Sequence, residues 1–447
     1  MPHAHVPTRR PGPLARPSAP PPPRPTPAPL RRWRWLVAAM GLSVAACFGS
    51  SLLSSSRRTA PLVIRRGGTY SGTYRSPDSD TPCIRIETRE PVTLRGCLLV
   101  GPGDLIQANA GGACLTVVNC RGYGQLPTRD QTRRGRFLEA SSARSVRIEH
   151  NYFEQTTGIN IYQWSGDGSP AQTLTVRYNQ CRNLDGRLRD GGEEFANFLG
   201  LNGVFGLANV EVAWNEVINE PDKSLVADNI NFFNSSGTRR SPARLHDNYI
   251  QGAYPYPATG AHYAGSGITL DSDEKLHSAL TTTAFVQGYR NQLVSTCAAL
   301  NIAAGHDNTF FDNRIVTSGL LPSGARLRAN YAALGLWNAY HQASSVFFNN
   351  SFRHNTVGFV HWGGTAPFAN RQDLSPDNCT PCTETQHLPS PITLATERRE
   401  WARWQQKLRR ASLQAGPLPT GPGQPRPRPS AARHAPATNE HFQETMQ

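Results

Sequence analysis

Val146-Arg147-Ile148-Glu149-His150-Asn151-Tyr152-Phe153 is the stretch on which the reading of this chain turns. Apolar and polar residues alternate, an Asn follows, and a short apolar pair resumes. Alternation with period two belongs to a strand that buries one face. The pattern returns as Leu174-Thr175-Val176-Arg177-Tyr178-Asn179 and as Val210-Glu211-Val212-Ala213-Trp214-Asn215-Glu216-Val217-Ile218. Weaker copies centre on Asn248, Asn291, Asn313 and Asn350, so the intervals from Asn151 onward are 28, 36, 33, 43, 22 and 37 residues. Long runs of helical period are absent between residues 61 and 390.

Short strands, an Asn at a fixed turn and a loose repeat predict an all-β solenoid over 61–390. One coil cannot bury its apolar residues alone and must stack on the next. Asn suits the turn because it tolerates left-handed backbone and bonds to neighbouring main chain. Stacked Asn side chains are expected to hydrogen-bond from coil to coil. Loops of varying length account for the uneven intervals.

The net charge of +14 suggests a nucleic-acid binder until it is divided by region. Residues 1–60 hold nine Arg and no acid, and residues 396–447 hold nine basic against four acidic residues. The stretch between them carries 28 of each sign and is neutral. A nucleic-acid footprint should show a basic face on the folded body itself, so nucleic acid is not an expected partner.

The Asn-centred turns and strand openings such as Gly158-Ile159-Asn160-Ile161, Gly267-Ile268-Thr269-Leu270 and Ala299-Leu300-Asn301-Ile302 carry a resemblance. Over about residues 80–365 the chain resembles the right-handed parallel β-helix superfamily of pectate lyases, polygalacturonases, alginate-active enzymes and phage tailspikes. The resemblance implies that fold, with substrate lying along a groove beside one sheet. It does not supply a reaction. Polygalacturonase-like enzymes carry Asn-Thr-Asp, Asp-Asp, Gly-His-Gly and Arg-Ile-Lys. Only Gly305-His306 echoes one of these, and Asp307 stands where the second Gly would be. The Asp-Pro-His-Asp of alginate epimerases is absent, and no pectate-lyase Arg motif matches.

The ends read differently. Residues 1–30 hold twelve Pro and almost nothing to build a core, which predicts a disordered or extended tail. In 31–54, the basic Arg31–Trp35 precedes an apolar run from Leu36 to Phe48, the layout of a secretory signal. Val44-Ala45-Ala46-Cys47 resembles a bacterial lipobox, which implies lipidation at Cys47. The alternative is an uncleaved signal anchor, whose orientation the seven Arg of residues 1–35 favour. Either way the protein is expected to be exported and held at an envelope membrane, in the periplasm or at the surface. Residues 396–411 read as a basic amphipathic helix with Trp401, Trp404 and Leu408 on one face. That face suits packing on the body as a cap, or an interfacial membrane helix. From 416 to 447 a Pro-rich tail is expected to be disordered.

Nine Cys are present. Apart from Cys47, eight could pair after export. Cys97, Cys120 and Cys181 sit at or just after turns and suit small apolar fillers. Cys379-Thr380-Pro381-Cys382 suits a local disulfide better than zinc, which wants four ligands.

Alternation fixes which residues of the groove sheet face inward: Ile159, Ile161, Ile230, Phe232, Ile268, Leu270, Leu300, Ile302, Leu334 and Leu336. One outward column then reads Asn160, Asn231, Thr269, Asn301 and Gly335, and a second reads Tyr162, Phe233, Asp271, Ala303 and Trp337. Amide side chains beside aromatic platforms suit sugar rings, so Asn160, Tyr162, Asn231, Phe233, Asn301 and Trp337 are candidate substrate-binding residues. The densest ionisable cluster is Asp271-Ser272-Asp273-Glu274-Lys275, with His306 and Asp307 one coil later. A lyase could hold Ca²⁺ on Asp271, Asp273 and Glu274 and use Lys275 or His306 as base. A hydrolase would pair two carboxylates, with Asp271 and Asp307 as candidates. The expected function is polysaccharide binding or cleavage; a non-catalytic adhesin or scaffold is the alternative.

Overall fold

The computed structural model describes residues 60–419, apart from 274–277, 364–365, 370–371 and 375–378. The segments 1–30 and 31–54, with Cys47, and the tail beyond residue 419 lie outside the described residues. Among the described residues no helix is long and apolar enough to cross a membrane.

The body is a right-handed parallel β-helix. Three strands make each coil, and each coil adds one strand to each of three long parallel sheets. Gly158–Trp164, Leu174–Arg177 and Gln180–Arg182 are one such coil. Sheet A runs through eleven strands that include Leu138–Ala143, Gly158–Trp164, Asn197–Asn202, Asp228–Phe233, Ser266–Asp271, Ala298–Ile302 and Ala332–Leu336. Sheet B also has eleven strands and sheet C twelve. Thr356–Gly363 also pairs antiparallel with Ala366–Ala369, at the end of the stack. All ten residues expected to face inward on sheet A are at most 1% exposed. Inside the coils Phe137, Phe153 and Phe198 stack at centroid distances of 4.4 and 5.8 Å. Like positions therefore sit above like, which strand alignment imposes on every column.

The turn from sheet B to sheet C carries the Asn ladder. Nδ2 of Asn215 donates to Asn248 Oδ1 at 2.9 Å and to the Val176 carbonyl of a preceding coil at 2.9 Å. The same arrangement joins Asn151, Asn179, Asn215, Asn248, Asn291 and Asn313. Its next member is Asn355, not Asn350: Asn313 Nδ2 donates to Asn355 Oδ1 at 3.0 Å. Asn350 lies at the preceding corner, where it accepts from the Asn308 backbone. The left-handed residue of the turn is also not the Asn. It is the residue before it, namely His150, Tyr178, Trp214, Asp247, Arg290, Asp312 and His354. The ladder Asn keeps ordinary backbone and spends its amide inward. Cys97 and Cys120 occupy the equivalent rungs of earlier coils, where the Cys97 N–H donates to Cys120 Sγ at 3.4 Å. They and Cys181 are free, buried thiols, whereas Cys379 and Cys382 are paired.

One helix, Leu394–Ala411, follows the last coil. Thr393 caps it through a reciprocal capping box with Thr396. It does not close an end of the stack; it lies along sheet C. Trp404 is fully buried against Tyr249 and Val294, and its Nε1 donates to Glu216 Oε2 at 2.9 Å. This explains why outward positions of sheet C carry Ile218, Tyr249 and Val294. The tryptophan face is thus taken by the body. Beyond the helix, Gly416 N donates to the Tyr178 carbonyl and Leu418 N to Asn119 Oδ1, so the chain stays on the turn row as far as residue 419.

Glu397 is buried under this helix and accepts from the Ser318 N–H at 2.6 Å. Burial pushes its carboxyl up to about 7. The folded protein therefore keeps a proton that the unfolded chain releases near the ordinary value of 4.5. The resulting stability is full below that value and is lost as pH rises through about 7. Glu397→Gln is expected to raise unfolding free energy by about 2 kcal/mol at pH 8 and to do little at pH 4. Denaturant unfolding at the two pH values checks this; equal effects at both would refute it.

Candidate active site

Sheet A is the sheet flanked on both sides by long loops, because the short Asn turn joins the other two. Its outer face carries the first predicted column in unbroken register, and the second as far as Asp271; Ala303 and Trp337 follow the ends of their strands. Glu139, Asn160, Gly200, Asn231, Thr269, Asn301 and Gly335 follow one another across neighbouring strands. Tyr162, Asn202, Phe233 and Asp271 form the second column. Trp337, 38% exposed, follows the strand that contains Gly335. A Cβ on Gly335 would come within 2.8 Å of the Trp337 ring, so the glycine lets the indole lie against the sheet.

A polar network is centred on two carboxylates, Asp228 and Asp271. Asp228 Oδ1 accepts from Ser266 Oγ at 2.6 Å and from Thr269 Oγ1 at 2.8 Å. Its Oδ2 accepts from Asn231 Nδ2 at 2.9 Å. Asn231 and Asp271 lie on the outer face of neighbouring strands, Asn231 opposite Thr269 and Phe233 opposite Asp271. Asp271 Oδ1 accepts from the Tyr340 hydroxyl at 2.6 Å and from the Ser272 N–H at 2.9 Å. Asn301 extends the network by donating to Thr269 Oγ1 at 3.3 Å. Tyr263 is half exposed.

Both acids keep some contact with solvent, yet both are crowded by protein. Burial and the nearby Asp228 charge push the Asp271 carboxyl up to about 6, against the hydrogen bond from Tyr340. Asp228 is also raised, by burial, although Ser266, Asn231 and Thr269 all favour its ionised form. Burial, followed by the Asp271 charge, raises the Tyr340 phenol. Two carboxyls that resist ionising together can hold one proton between them, which suits acid–base work near neutral pH.

The other predicted residues divide. Asp273 accepts from Asn234 Nδ2 at 3.4 Å, while Glu274 and Lys275 lie outside the described residues. His306 and Asp307 pair with each other at 2.7 Å, but among the described residues no hydrogen bond or ion pair joins either to Asp271. The second ring nitrogen of His306 meets the Ala279 carbonyl, its ring stacks on Phe348 at 4.6 Å, and Asp307 accepts from Asn349. Gly305 is left-handed and a Cβ there would strike the Thr283 carbonyl, so Gly305-His306 is a corner of the coil. Asn160 and Tyr162 belong to a separate closed network, in which Arg136 Nη1 donates to the Tyr162 hydroxyl at 2.7 Å and also pairs with Glu139. Among the described residues no three His, Cys, Asp or Glu side chains converge as a metal site.

Asp228, Ser266, Tyr263 and Tyr340 escape a reading from the sequence. By parity Asp228 shares the inner side with Ile230, a place that excludes a charge, yet its carboxylate bonds to Ser266, Asn231 and Thr269. No protein-family model, curated protein or solved structure matches this chain.

Proposed function

We propose that this is an exported bacterial envelope protein, related to the pectate-lyase-like β-helices, that binds and cleaves polysaccharide along sheet A. The Asp228–Asn231–Asp271 arrangement carries the reading. Asp271, whose carboxyl burial pushes up to about 6, acts as general acid on the glycosidic oxygen, and Asp228 is the carboxylate partner. Tyr340 orients Asp271. Phe233, Trp337 and the half-exposed Tyr263 offer flat apolar surfaces to sugar rings, with Asn301 and Thr269 beside them for hydroxyls. No step of this reaction is routed through Ca²⁺, although Asp271 and Asp273, with Glu274, remain its candidate ligands.

The test is a screen of the full chain against neutral and acidic polysaccharides, with and without Ca²⁺. New reducing ends without ultraviolet-absorbing double bonds are expected. Unsaturated ends would make the reaction an elimination. Binding without cleavage of any substrate would leave the non-catalytic adhesin or scaffold.

A further inference from the structure

A second concentration of charge lies on another side of the coil. A cleft of about 610 Å³ opens between the helix and the row of turns where sheet B passes into sheet C. Arg403, Lys407 and Arg410 line it from the helix, at i, i+4 and i+7 on one face. Arg290 and Arg314 line it from two successive coils. Asp312 is the carboxylate among its lining residues. Two further acids are already committed to holding the helix. Asp247 accepts from Arg290 at 2.7 Å and pairs with Lys407 at 2.9 Å, and Glu400 accepts from Arg314 at 2.7 Å.

Five cations thus face three carboxylates. Arg403 has Glu400 only at 3.6 Å and is 60% exposed, and Arg410 has no ion pair among the described residues. Lys407 is held below its ordinary value, first by burial and also by the Arg290 charge, despite Asp247. The cleft therefore has unspent positive charge. It also has an aromatic member, because partly exposed Trp214 lines it, with the Lys407 ammonium 5.4 Å above its ring.

We propose that this cleft is an accessory binding site for an acidic saccharide, with Arg403 and Arg410 holding carboxylates of successive uronate units and Trp214 beside a ring. Guanidinium forks match carboxylates in two parallel hydrogen bonds, and an aromatic flank favours a sugar over a bare ion. The volume falls in the ordinary range for small-ligand sites. The site extends the polysaccharide reading but is separable from it, because Asp271 takes no part.

Calorimetric titration of the full chain tests it with a galacturonate hexamer, a neutral glucose hexamer, inorganic phosphate, a single-stranded oligonucleotide and anionic phospholipid vesicles. The uronate hexamer is expected to bind tightest, and more weakly as salt rises. Arg403→Ser/Arg410→Ser is expected to weaken it about tenfold or more at unchanged Tm. The titrations are run in the Asp271→Asn background, so that heat of cleavage at sheet A is not read as binding. Equal binding of the neutral hexamer, or an unaffected double variant, overturns the proposal. So does tighter binding of phosphate, oligonucleotide or vesicles. Absence of cleavage by the unmutated chain, with this binding intact, would count against the sheet A reading alone.

Discussion

Asp271→Asn is expected to reduce polysaccharide cleavage by about a thousandfold and, at the same time, to stabilise the fold at pH 8. General acid–base groups contribute roughly 10²–10⁴ to rate, and the amide keeps the size and the Tyr340 contact while losing the transferable proton. The stability effect has the opposite sign because the folded carboxyl titrates near 6, above its ordinary 3.8. Its stabilising contribution is full below the ordinary value and disappears as pH rises through about 6. Asparagine removes the buried charge, so the gain should appear at pH 8, on the order of 1–3 kcal/mol, and vanish at pH 4. Steady-state rates and denaturant melts at the two pH values check both parts. A destabilised variant at pH 8 would show that Asp271 is a structural carboxylate.

Asn215→Ala should cost about 3–5 kcal/mol, since it breaks the ladder in mid-stack. The amide donates to Val176 O and Asn248 Oδ1 and accepts from the backbone and side chain of Asn179. Alanine leaves the Asn179 N–H without this partner in a turn whose Asn side chains are fully buried. Each buried group so orphaned costs about 1–3 kcal/mol. Asn215→Cys should cost less, because Cys120 Sγ already accepts from a backbone N–H at an equivalent rung. Equilibrium unfolding measures both; a loss under about 1 kcal/mol for alanine would refute the account.

The ladder was legible because its signal is local and repeated, and each Asn marks its own turn. The outward columns of sheet A were legible because parity converts position into face. Asn350 was mistaken for a rung because it follows the β-formers Val346-Phe347-Phe348, as a rung should, while the true rung Asn355 lies only one short strand further on. The acid pair was half legible. Asp271 ends a strand in the predicted parity, but Asp228 opens its strand at an inward parity and still bonds to the outward Asn231 and Thr269. Tyr340 reaches Asp271 from a loop 69 residues downstream, a contact that no periodicity encodes. His306 and Asp307 looked like site residues because they are adjacent in sequence, and that adjacency is used up in their bond to each other.

The late position of the docking helix bears on the order in which the chain can assemble. Coils depend on their neighbours and can form one after another as the polypeptide emerges. The helix comes after all of them and needs a footprint from several at once: Glu216, Tyr249, Gln292 and Arg314 belong to four successive strands of sheet C. A coil shifted by one residue would turn its Tyr or Arg away from that footprint. Helix docking therefore acts as a final inspection of alignment, completed only when four coils agree.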